Sequence, residues 1–164
     1  MGKIDITGTG EIDTVWVTCK SINATSGSRT AIDVDIAPGM VLARDFYDHD
    51  GDGTPNFTRT ASTNRSAQKC VVISVPSTVN EFIDGSTTQR KGGKVKVAFE
   101  MAKCPRLYVE STTDIAVGDP LSPTNDQYYL VSDATAGLDQ CAIAGEARTS
   151  NDAGYIEGSF KSLM

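Results

Sequence analysis

Apolar positions in this chain recur mostly with a period of two. Val15, Val17 and Cys19 alternate with Thr14, Trp16 and Thr18, which predicts a two-sided, edge-like strand over Thr14–Cys19. Ile32, Val34 and Ile36 alternate with Asp33 and Asp35, predicting a second strand over Ala31–Ile36 with the aspartates in water. Pro38-Gly39 then turns the chain into a short strand over Met40–Ala43. Cys70-Val-Val-Ile-Ser-Val75 is a continuous apolar run, as in a strand covered on both faces. The cleanest alternation is Lys94–Glu100, with Val95, Val97 and Phe99 inward, and Arg106–Glu110 follows it. From Val117 to Phe160 the runs V-G-D-P-L, Y-Y-L-V-S, C-A-I-A-G-E-A and G-Y-I-E-G-S-F are each strand-length and separated by turn residues. Val79–Ile83 is the one helical-turn candidate, and no stretch carries the 3.6-residue period of a long amphipathic helix. The prediction is a mainly β protein whose many short strands close into a sandwich or barrel, because closure removes exposed edges.

Two segments break the pattern. Residues 1–11 are rich in Gly and Thr with isolated apolar positions, and read as an extended N-terminal arm. Residues 45–69 are polar and non-periodic, and read as a long insertion or surface loop. No internal repeat and no second block of composition stands out. The predicted organisation is an arm over 1–11 and a single compact β-barrel domain over 12–164 that carries the insertion.

Composition narrows the function. With 164 residues, 39% hydrophobic and 22% charged, the chain has the make-up of an ordinary globular domain with enough length for a core. No apolar run approaches the ~18 residues of a membrane helix, and the start lacks a secretory h-region, so neither a membrane nor a secretion route is expected. Net charge is −6 and no basic stripe stands out, which argues against a nucleic-acid partner. Arg90-Lys91-Gly92-Gly93-Lys94 is the densest basic stretch and reads as a hairpin turn. Cys19, Cys70, Cys104 and Cys141 show no C-x-x-C spacing and read as buried free thiols. Asn23, Asn56 and Asn64 head glycosylation sequons, which without secretion are chance matches.

Candidate chemistry is sparse. Asp48-His-Asp-Gly-Asp-Gly53 places Asp48, Asp50 and Asp52 at positions 1, 3 and 5 of an EF-hand-like loop, with the Thr54 carbonyl and Asn56 following. Arg59 stands where a bidentate acid belongs, so the loop is a candidate for a weak, labile Ca2+ site, with a solvated acidic turn as the alternative; no other cofactor is called for. His49 is the one histidine, which excludes a multi-histidine zinc site and forces any Ser-His-Asp triad through an acidic polar loop. Asp33, Asp35, Asp114, Asp119 and Glu146 could pair as glycosidase carboxylates, but their alternation with apolar positions fits a solvated strand face better. Trp16 and Tyr128-Tyr129 read as packing residues first and as an aromatic binding patch second. The expectation is a protein that is not an enzyme.

The order "G-D-P-L, polar turn, aliphatic strand, A-I-A-G-E-A, polar turn, G-x-I-x-G-x-F" over Val117–Phe160 resembles the closing strands of capsid decoration (cement) proteins of tailed bacteriophages. The run R-K-G-G-K-V-K-V-A within Val71–Thr113 is similar to the same family, while residues 20–69 have no counterpart in it. The resemblance implies a β-barrel or β-tulip domain with an extended arm. It further implies a homotrimer bound to the major capsid protein on the outer surface of the virion and assembled in the host cytoplasm, with no catalytic residue to carry over. Two other readings stay open: a calcium-dependent extracellular β-module for adhesion or carbohydrate binding, and another virion part such as a head-fibre or tail protein.

Overall fold

A computed structural model describes residues 3–4, 12–19, 21–22, 29–30, 34–45, 53–60, 65–83, 85, 87, 90–110, 114–125, 127–132, 139–149 and 154–162. Near the N-terminus β1 (Lys3–Ile4) pairs with β2 (Ile12–Asp13), so what is described of the arm folds back on its own chain. Strand β3 (Val15–Cys19) follows, then a small ladder of β4 (Ser21–Ile22) with β5 (Arg29–Thr30). Strands β6 (Val41–Asp45), β7 (Asn56–Thr58), β8 (Lys69–Ser74) and β9 (Gly93–Ala98) close with β3 into one barrel. Strands β10 (Glu100–Val109), β11 (Pro120–Pro123), β12 (Leu130–Ser132), β13 (Ala142–Ala144) and β14 (Gly154–Lys161) close into a second. The mainly β expectation holds, and the strands close into two five-stranded barrels.

The two barrels have the same topology, which corrects the reading of no internal repeat. Numbered within each barrel, the strand order is 1-3-2-4-5, the 1–3 pair is parallel, and all other pairs are antiparallel. The registers superimpose as well. Leu42 opposite Cys70 corresponds to Leu121 opposite Ala142, and Val72 opposite Val97 corresponds to Ala144 opposite Gly158. Each second strand is entered through the same turn. Met40 N–H bonds Ala37 O at 3.2 Å and Asp119 N–H bonds Ala116 O at 3.1 Å, with Gly39 (φ +94°) and Gly118 (φ +92°) at the third position, where positive φ is required. In both turns the glycine N–H reaches strand four, Gly39 to Val72 O at 2.8 Å and Gly118 to Ala144 O at 2.7 Å. The sequence trace of this duplication is D-I-A-x-G-x-x-L, at Asp35–Leu42 and again at Asp114–Leu121.

The barrels share one seam. Alternation sends Leu42, Cys70, Val72 and Val97 into the first barrel's core, while Val41, Val71 and Ala98 leave its wall and join the core cluster of the second. Strand β8 is therefore buried on both faces, as its apolar run predicts. Backbone bonds stitch the seam: Val41 N–H to Tyr128 O at 3.0 Å, Tyr108 N–H to Gly39 O at 2.9 Å and Ser162 N–H to Phe99 O at 2.9 Å.

Other sequence expectations change. Val34–Ile36 is not strand, and Val34 is 38% exposed while Ile36 is buried. The Asn80 side-chain amide meets the backbone of Ile36 on both sides, accepting from Ile36 N at 2.8 Å and donating to Ile36 O at 2.9 Å, so no strand partner is needed. In the second barrel the equivalent Ile115 makes the same two bonds to the backbone of Arg148, at 2.8 Å each. The 45–69 segment is not all insertion: β7 lies inside it with Phe57 in the core, and three residues with a single apolar side chain give no readable period. Val15–Cys19 is no edge, being paired by β7 on one side and β9 on the other. The helical turn falls earlier, as a 3-10 turn over Ser77–Asn80. Arg90–Gly92 is the returning leg of its loop rather than the turn, since Arg90 bridges Phe82 and Gly92 N bonds Val79 O at 3.1 Å. Strand β10 runs through Pro105, where register shifts on either side of Cys104 let the ladder pass a residue without an N–H.

Two stability outcomes follow from these contacts. Gly39→Ala and Gly118→Ala should each lose about 1 kcal/mol to backbone strain at positive φ. Gly39→Ala should lose about 1–3 kcal/mol more, because its Cβ would lie 2.6 Å from Arg106 O, whereas nothing lies within 4 Å of a Cβ on Gly118. Asn80→Leu should cost about 2 kcal/mol by leaving the Ile36 N–H and C=O without partners. Urea melts of the three variants against wild type measure both effects.

Candidate functional site

The sequence-derived site residues do not assemble into one centre among the described residues. Asp48, Asp50 and Asp52, with His49, lie outside the described residues. Asn56 is buried in β7, three residues beyond Gly53. Among the described residues no group of three or more His, Cys, Asp or Glu could hold a metal ion.

The carboxylates are spent locally. Asp35 takes Arg90 Nε at 2.7 Å, and the Arg90 guanidinium also lies 4.2 Å over the Phe82 ring. Asp119 accepts from Ala116 N at 2.8 Å and Ser132 Oγ at 3.2 Å, bracing the turn into β11. Glu146 accepts from Glu157 N at 3.0 Å. Asp33 lies outside the described residues, and Asp114 is exposed. Asp35, Asp119 and Glu146 thus hold backbone, a hydroxyl or a neighbouring cation, which is structural work.

The four thiols are buried and free. Burial pushes Cys19 and Cys141 up to about 12 and raises Cys70 and Cys104, so none is a thiolate near neutral pH. Lys69, at the seam beside Cys141, is also buried and donates to Ala67 O at 2.9 Å; burial lowers its pKa.

The aromatics divide. Tyr128 is buried in the first barrel's core cluster, although it belongs to the second barrel's sequence. Tyr129 stands edge-on to Tyr108 at 5.8 Å, Tyr108 lies 5.0 Å from Tyr155, and Arg106 covers the Tyr155 ring at 3.8 Å. Burial raises the pKa of Tyr108 and Tyr129, with the negative charge of Glu110 adding to it. Trp16 is remote from this group in the barrel order. It is 49% exposed on the first barrel's outer wall, with Lys96 Nζ 5.4 Å from its ring centre.

What remains is surface. The exposed large apolar side chains among the described residues are Trp16, Val34, Phe82, Val117 and Ile143. Ile143 also borders an open cleft of about 410 Å³ on the second barrel, floored by Met101, Cys141, Ala142 and Phe160 and rimmed by the Lys161–Glu100 pair at 3.8 Å. Such features suit contact with another macromolecule. Sequence reasoning named Trp16 and passed over Val117 and Ile143, because period-two alternation does not say which outward faces a second barrel will cover.

No family model and no curated protein matches the chain. Among solved structures it is similar to the head fiber gp8.5 N base of bacteriophage phi29, at 14% identity and a TM-score of 0.41 over 93% of this chain and 98% of that one. No residue role is transferred across so distant a likeness.

The buried thiols make stability fall in alkali. Below the pKa of an unfolded thiol, near 8.5, both states are protonated and nothing is lost; above it the unfolded chain sheds protons that the folded chain keeps until about 12. By about pH 10 each such thiol should remove about 1–2 kcal/mol, partly offset by Lys69, whose lowered pKa has the opposite sign. Denaturant melts at about pH 8 and about pH 10 should show this fall, and Cys19→Val should reduce it by one thiol's share.

Proposed function

We propose that the chain is a structural, non-catalytic protein of a tailed-phage particle, carried on the outside of the head. The observation that carries the reading is that the segment resembling cement proteins, Val117–Phe160, is one physical unit. It supplies β11–β14, four of the five strands of a single closed barrel, so the resemblance follows a folding unit and not scattered strands. Two further features support it: Asp35, Asp119 and Glu146 are engaged locally, and the thiols are held protonated by burial. The partner under this reading is the major capsid protein of the shell.

 The self-associated form proposed with it is a homotrimer.

Two forms of this role are distinguishable. A cement protein stiffens the shell, whereas the base of a head fibre carries a projection. The two-barrel build favours neither. Electron microscopy of purified heads, with the protein removed and then added back, is the test. The expected outcome is rebinding to the outer surface of the head, with projections restored for a fibre base and without them for cement. Protein that stays in the supernatant when heads are sedimented would sink both forms.

A further inference from the structure

The duplicated barrel carries the same outer face twice, filled once and open once. In the first barrel this face is the seam: Gly39, Val41, Val71 and Ala98 are all buried against the second barrel. Their register equivalents in the second barrel are Gly118, Pro120, Ile143 and Ser159. Every one of these is less covered: Gly118 and Ile143 are exposed, Pro120 and Ser159 half-buried. The glycines show the difference at atomic scale. A Cβ on Gly39 would strike Arg106 O at 2.6 Å and Tyr155 Cε1 at 3.1 Å, while a Cβ on Gly118 would meet nothing within 4 Å. The cleft bordered by Ile143 lies on this open face.

The complementary face is duplicated too. Gly39 packs on Arg106 and Tyr155 of the second barrel, and the first barrel places Trp16 and Lys94 at the equivalent positions of its own first and fifth strands. Trp16 is 49% exposed there. Among the described residues, three of the five exposed large apolar side chains, Trp16 at 49%, Val117 at 67% and Ile143 at 44%, thus lie on or beside the two faces that no described element covers.

We propose that the Gly118–Pro120–Ile143 face of the second barrel binds the Trp16 face of the first barrel of another copy of this chain, repeating between molecules the packing that joins the two barrels within one. The contact is heterologous, so it closes into a ring or continues as a filament. It is also weaker than the internal seam. Pro120 stands where Val41 donates its N–H to Tyr128 O, and Thr18, the equivalent of Tyr108, spends its N–H on Pro55 O at 3.0 Å. Two backbone bonds of the seam therefore have no counterpart between molecules. Side-chain burial carries the association, which makes it reversible on dilution.

Sedimentation velocity on the isolated protein tests this without reference to phage heads, so its failure is separate from failure of the proposed function. Wild type should sediment above monomer mass at tens of micromolar and dissociate on dilution. Ile143→Glu and Trp16→Glu should each sediment with a lower mass than wild type, with circular dichroism melts showing that both fold; Ile143→Ser and Trp16→Ser replace any that does not. Mixing the two variants is the decisive arm. Each keeps one intact face, so the mixture should form a one-to-one dimer and stop there. A monomeric wild type, single variants that keep the wild-type mass, or a mixture that stays monomeric would each overturn the proposal.

Discussion

The row Val41–Val71–Ala98 is the constraint on which the rest of the molecule depends. These three residues are ladder neighbours on β6, β8 and β9, and they point away from the barrel to which their strands belong. Their burial completes the core of the other barrel. Full burial of a valine side chain is worth about 1.5–3 kcal/mol, so the row gives each barrel a direct energetic stake in the other. It also fixes the composition of the strands that carry it. Because β8 serves two cores, it must be apolar at consecutive positions, and Cys70-Val71-Val72 is apolar without interruption. Gly39 must be glycine for the same reason: the turn needs positive φ and also passes within contact of the Arg106 backbone.

Duplication under this constraint preserves pairing and lets side chains trade places. In the first barrel Val17 lies near Val97, two medium side chains on paired strands. In the second the equivalents are Leu107 and Gly158, one large and one absent, and a Cβ on Gly158 would come within 2.7 Å of Leu107 Cδ1. The larger side chain on one strand occupies space that the missing one leaves on the other, so the pair fits although neither residue is kept. Asn80 and Arg148 show the same trade in hydrogen bonding, where a side-chain amide in one barrel does the work of a backbone peptide in the other.

These trades explain what could be read from the sequence. Strands that bury one or both faces, such as Gly93–Ala98 and Lys69–Ser74, follow their apolar pattern, and the closing four strands follow their punctuation. Ala31–Ile36 has the alternation of a strand, yet the described residues 34–36 are not strand, because pattern records burial and not the source of hydrogen bonds. Asn56–Thr58 is too short to show a period. Pro105 hides half of β10 because a bulge is a backbone feature with no residue code of its own. The repeat is carried by register, and outside the eight positions from Asp35 and Asp114 register leaves little trace in residue identity. The candidate site was least legible. The acidic loop lies outside the described residues, and the exposed apolar positions become conspicuous only when the seam shows which outward faces are covered.

Conservation of register has one more consequence for how such a surface can exist in water. A face that is buried carries apolar side chains and backbone donors, and a donor stripped of water is costly unless the partner supplies an acceptor. At the open copy the donor is gone, because Pro120 has no N–H, and the turn residue that meets a buried environment as Met40 is Asp119, whose carboxylate braces the same turn. Val71 and Ala98 are answered by Ile143 and Ser159, one apolar and one polar. The open face has therefore lost the donor that burial without a matching acceptor would leave unpaired, and kept a single large aliphatic contact. That pattern suits a surface that spends part of its time exposed, and it separates the permanent seam from the reversible one within a single duplicated fold.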